Sequence, residues 1–103
     1  MRPFKVTMLN IFPDAIEDAA SKCETAMTEL GFSWKETCDM HDMVEDDLEE
    51  TGRWRDITNS VIGSYFRVTK DLICQQFPDT KVEYYVNCHD SHLCVNGEEI
   101  YAD

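Results

Sequence analysis

Apolar and polar residues alternate over residues 4–11 well enough for a short first strand, with Phe4, Val6 and Met8 on one face. Pro13 marks a break. Asp14 and Glu17 then stand at capping-box spacing, and Ile16, Ala20, Cys23, Met27 and Leu30 recur at helical intervals until Gly31, which suits a helix stop. A second helix is predicted from Ser33, with Glu36 three residues on as its reciprocal cap. Trp34, Cys38, His41, Val44 or Glu45, and Leu48 are its inner candidates, and Gly52 is its end. Residues 32–37 also read as a strand, which would leave a shorter acidic helix. Residues 53–77 form a third helical pattern that stops before Pro78. It carries two adjacent stripes, one of Ile57, Val61, Tyr65, Val68 and Leu72, the other of Ile62, Phe66, Ile73 and Phe77. Two stripes make a wide buried face, the mark of a central helix.

Beyond Pro78 the period changes from helical to alternating. Residues 82–88, 91–95 and 98–101 are strand-like, and Asn96-Gly97 is a strong type I′ hairpin signal. Pairing across that turn sets Leu93 opposite Ile100. A two-residue turn at His89-Asp90 would set Val86 opposite Leu93 and complete a buried row. The other face would then carry Tyr85, Asn87, His92, Cys94, Glu99 and Tyr101. The expected fold is a single α+β domain over residues 1–103: three helices packed on a small, mainly antiparallel sheet that ends in a β-meander.

Charge adds the feature that the pattern alone does not explain. Nine Lys and Arg face 21 Asp and Glu, a net charge of −12 in 103 residues. Residues 1–52 hold 13 acids and 4 bases, while residues 53–103 hold 8 and 5, so the negative field is polarised toward the first half. With 43% hydrophobic residues the chain is too apolar for a disordered acidic tail. Such a protein repels nucleic acid and anionic membranes and is steered toward basic surfaces. No apolar run reaches the length of a membrane span and the first residues do not form a signal peptide. Five cysteines, an odd number, point to reduced thiols in a cytoplasm.

The charge is densest over residues 39–50, where seven of twelve residues are carboxylates and none is Lys or Arg. On a helix Asp39, Asp42, Asp46 and Glu49 stack on one face, backed by Met40, Met43, Val44 and Leu48. Each like-charge pair at this spacing costs about 0.2–0.5 kcal/mol. Twelve helical residues span about 18 Å, so seven charges fall at roughly one per 2.6 Å, against one per about 1.7 Å of duplex DNA. Asp14, Glu17, Asp18, Glu24 and Glu29 of the first helix extend the field. The plain alternative is a solvated helix side.

Other chemistry is thinner. Cys38-x-x-His41 and the Cys88, His89, His92, Cys94 cluster offer zinc-type ligands, but no Cys-x-x-Cys accompanies them and neither half has a finger spacing. Cys88 with His92 could form a nucleophilic pair, yet no Gly-rich oxyanion loop or nucleophile elbow is present. The carboxylates lack the order of an EF-hand, and Gly31, Gly52, Gly63 and Gly97 are isolated, so no phosphate loop exists. No catalytic residue, metal or cofactor is expected.

In size, charge and the succession of an acidic helix and a long amphipathic one (Glu45-Asp-Asp-Leu-Glu-Glu leading into residues 56–66), the chain resembles the small acidic anti-defence proteins of phages and mobile elements. These are the DNA-mimicking anti-restriction and the anti-CRISPR proteins. The resemblance implies a non-enzymatic inhibitor that binds the basic nucleic-acid-binding groove of a CRISPR-Cas or restriction complex in the host bacterial cytoplasm. Asp39, Asp42, Glu45, Asp46, Asp47, Glu49 and Glu50 would stand in for phosphates, with no direct contact to nucleic acid or membrane. The competing expectation is an adaptor or assembly subunit anchored by Tyr85, Tyr101, Trp34 or Trp54. Monomer and homodimer are both open, since Tyr85 and Tyr101 at a sheet edge could pair two copies.

Overall fold

Pro13, expected as a break, is instead the first residue of helix α1, which runs Pro13–Glu29 in the computed structural model of this chain. Its fixed φ and missing N–H suit the first turn, where that donor has no intrahelical partner. The structure describes residues 13–51 and 57–102; the predicted first strand, Gly52 and Trp54 lie outside them. Gly31 stops α1 in the left-handed region, at φ 96°. Its N–H donates to the Thr28 carbonyl at 3.0 Å, and Phe32 N–H donates to Met27 at 3.0 Å. This is the Schellman arrangement, and Met27 and Phe32, its apolar pair, are both buried.

Helix α2 spans Trp34–Thr51 and helix α3 Ile57–Gln76. α3 is central, as its two stripes predict: it packs against α1, α2 and the first strand. Ile62, Phe66 and Ile73 are fully buried, and Val61, Tyr65, Leu72 and Phe77 flank them half-buried. Burying a side chain the size of Phe66 contributes about 1.5–3 kcal/mol. Phe32 and Phe77 meet edge to face with centroids 5.9 Å apart, closing the α1–α2 corner over the end of α3.

Among the described residues the sheet has three antiparallel strands in chain order, β1 (Val82–Tyr85), β2 (His92–Val95) and β3 (Glu98–Glu99). Asn96 and Gly97 adopt φ 53° and 84°, both positive as a type I′ turn requires, and Ile100 N–H donates to the Leu93 carbonyl at 2.8 Å. The other hairpin differs from expectation. β1 pairs with β2 so that Tyr84, not Val86, lies opposite Leu93. The reason is local. Asn87 Oδ1 accepts the His89 N–H at 2.8 Å and the Asn87 carbonyl accepts Asp90 N–H at 3.2 Å, which folds a turn inside a six-residue connection over 86–91. A shift of two residues keeps every side chain on its predicted face. Tyr84 therefore takes the inner row, its ring 5.6 Å from that of Phe66.

The inner stripe of α1 is also shifted. Ala19, Cys23, Ala26 and Met27 are buried together with Lys22, whose ammonium donates to the Ser91 carbonyl at 2.7 Å and pairs with Asp18 at 3.0 Å. This lysine ties α1 to the start of β2. Among the described residues, three helices on a small antiparallel sheet make the α+β architecture expected. Among the described residues no helix is long and apolar enough to cross a membrane.

Candidate functional site

Ser33 and Glu36 open α2 with the reciprocal cap: Ser33 N–H donates to Glu36 Oε1 at 2.8 Å, and Glu36 N–H to Ser33 Oγ at 3.2 Å. The helix then turns one side inward. Thr37, Met40 and Val44 are buried, with His41, Asp47 and Leu48 half-buried beside them. Trp34 and Cys38, expected on that inner side, face outward, Trp34 at 75% exposure. Thr37 takes the inner position because its hydroxyl is satisfied within the helix, donating to the Ser33 carbonyl at 3.1 Å.

Six of the seven carboxylates singled out from the sequence, Asp39, Asp42, Glu45, Asp46, Glu49 and Glu50, lie on the exposed side of α2. Asp39 pairs with Lys35 at 3.1 Å, a solvent-exposed contact of little worth. The other five have no ion-pair partner among the described residues. Glu49 and Glu50 also sit in the last turn of α2, which holds no base. That end carries the negative pole of the helix dipole, so each acid there costs about 0.3–1 kcal/mol. Asp47 is different. It turns toward α3, pairs with Arg67 and accepts a hydrogen bond from Ser64 Oγ at 2.7 Å.

Two further clusters join residues far apart in sequence. His41 Nε2 lies 2.6 Å from Glu24 Oε2, and its Nδ1 lies 2.9 Å from the Tyr65 hydroxyl. A neutral ring satisfies both contacts when Nε2–H donates to Glu24 and Tyr65 O–H donates to Nδ1. Burial, reinforced by nearby Cys23, Glu24 and Glu45, holds the Tyr65 phenol above its ordinary pKa. On the sheet, His92 contacts Glu99 at 2.6 Å and Asp90 at 3.1 Å. These two carboxylates, Glu99 first, raise the His92 pKa above the usual histidine value.

The zinc-type ligands do not converge. Cys38 faces solvent while His41 turns to Glu24 and Tyr65, and no group of three or more His, Cys, Asp and Glu is placed to hold a metal among the described residues. Cys23 is buried, donates to the Tyr65 carbonyl at 3.5 Å, and has its thiol pKa pushed up to about 12 by that burial. It is an inert core thiol. Tyr85, the last residue of β1, and Tyr101, two residues beyond β3, are exposed, at 56% and 69%.

No protein-family model, curated protein or solved structure matches this chain.

Proposed function

We propose that this protein is a non-enzymatic inhibitor of a bacterial defence nuclease, docking on a basic nucleic-acid-binding surface through the outer side of α2. One observation carries this reading: six exposed carboxylates share one side of a capped helix, two of them at the end where the helix itself disfavours them. Sequence that tolerates such a cost with no intramolecular return among the described residues points to a partner. With Asp47 turned inward, six charges over about 18 Å fall at roughly one per 3 Å, near the 3.4 Å phosphate spacing of a single DNA strand. The charges are carried on a helix held by its core contacts, so a partner meets them without first ordering a loop. The partner is a CRISPR-Cas or restriction complex in the host cytoplasm, and its lysines and arginines take the places they otherwise give to phosphates.

The test is capture of partners from nuclease-treated bacterial lysate at rising salt. A defence nuclease that is recovered at low salt, released at moderate salt and competed off by DNA is the expected result. The combined Asp42→Asn, Asp46→Asn and Glu49→Gln variant should lose that partner; equal recovery by variant and parent would sink the proposal. The exposure of Tyr85 and Tyr101 favours a second reading, an adaptor anchored by the sheet and the segment after it. Under it, the captured protein resists salt and ignores DNA.

A further inference from the structure

An open groove runs along the edge of the acidic side, where the end of α1, the start of α2 and the end of α3 meet. Its floor is apolar, made by Leu72, the edge of Phe32 and Met43, the last 42% exposed, over the fully buried Met27. Its rim holds the carboxylates of Glu36 and Asp39. Glu36 spends Oε1 on the helix cap and Asp39 spends Oδ2 on Lys35, which leaves one oxygen of each without a partner among the described residues. Gln75 and Gln76 complete the lining. The volume, ≈ 490 Å³, falls within the roughly 300–1,000 Å³ of small-ligand sites.

We infer that this groove takes an arginine side chain of the basic partner, which rests on the reading of α2 as a docking surface. The chemistry selects the occupant. An apolar floor beneath two carboxylates wants a cation on an alkyl stem, which excludes anions and neutral apolar groups. The two free carboxylate oxygens, on different residues, suit the fork of a guanidinium, whose five donors can meet both at once, better than the point charge of an ammonium. A guanidinium is also the more weakly hydrated of the two, so it loses less on leaving water for an apolar surface. Asp39 belongs both to the groove and to the outer side of α2. A partner spread over the acidic side therefore reaches the groove without moving, and Lys35, 83% exposed at its side chain, is readily displaced.

The inference is tested on the full chain by following the methionine methyl signals by NMR at low salt during titration with a blocked tripeptide that has arginine between two glycines. The same peptides with lysine and with citrulline are the comparisons. Saturable shifts of Met43 are expected with arginine, weaker ones with lysine and none with citrulline. The Met43→Trp variant fills the groove without changing charge at an exposed position. Against the captured nuclease, Met43→Trp should weaken binding about tenfold, the size of a hot-spot contact. The Glu45→Gln control removes a charge outside the groove and should cost less. Equal responses to arginine and lysine, confined to the outer side of α2, would overturn the groove and leave charge-driven docking intact. So would unaltered nuclease binding by Met43→Trp. If arginine titrates the groove but no basic partner is ever captured, the proposed function falls and the groove stands.

Discussion

Asp46 and Asp47 are neighbours on α2 and end in opposite surroundings. Asp47 turns toward α3, where Arg67 and Ser64 hold its carboxylate; Asp46 points into solvent among Asp42, Glu49 and Glu50. The same division runs through the whole helix. Its inner side uses each polar group against a named partner, Thr37 to its own helix, His41 to Glu24 and Tyr65, Asp47 to Arg67. Its outer side repeats one charge with, among the described residues, a single compensating base, Lys35. The difference teaches that acidity here is two things. Inward it is a set of fastenings for the fold, and outward it is a surface the fold does not require.

Three changes to the fold test that division. Met40 is fully buried at the middle of the inner side, so Met40→Ala should cost about 3 kcal/mol of stability, within the span for large-to-small core changes. A urea titration reads it as a lowered midpoint. Asp47→Ala should cost about 1 kcal/mol: it strips the acceptor from Ser64, which is fully buried, but Arg67 is more than a third exposed and the ion pair is discounted for that. For a domain of this size that is a fall of about 4–8 °C in Tm. The smallest effect has the opposite sign. Asp42→Asn, Asp46→Asn and Glu49→Gln together remove like-charge contacts at three- and four-residue spacing and should stabilise the fold by about 0.5 kcal/mol. A loss of stability in that variant would mean the outer acids have fastenings of their own, and the two sides would no longer differ in kind.

What could be read in advance follows from how far each interaction reaches along the chain. The Ser33–Glu36 cap, the Gly31 stop and the Asn96-Gly97 turn each depend on two to five adjacent residues, and each forms as its residues predict. The two stripes of α3 were legible because a wide apolar face leaves little choice of orientation. α2 offered no such constraint. Its stripe is thin, and periodicity alone could not decide between Trp34 with Cys38 and Thr37 with Met40. Asp47 looks in sequence like its six neighbours, because Arg67, which singles it out, stands 20 residues away. The Glu24–His41–Tyr65 cluster likewise depends on three helices meeting. Lys22 escaped notice because a lysine on an apolar stripe reads as an interruption until the Ser91 carbonyl is brought to it. The strand register failed at Asn87, whose side chain built a turn where a two-residue loop was the simpler expectation.

His41 has a consequence for direction. One edge of its ring is held by α1 and the other by α3, through Glu24 and Tyr65. A roll of α2 by a single residue, about 100° at 3.6 residues per turn, would break both contacts at once. The half-buried imidazole therefore fixes the azimuth of the helix, and with it the compass bearing along which six negative charges leave the molecule.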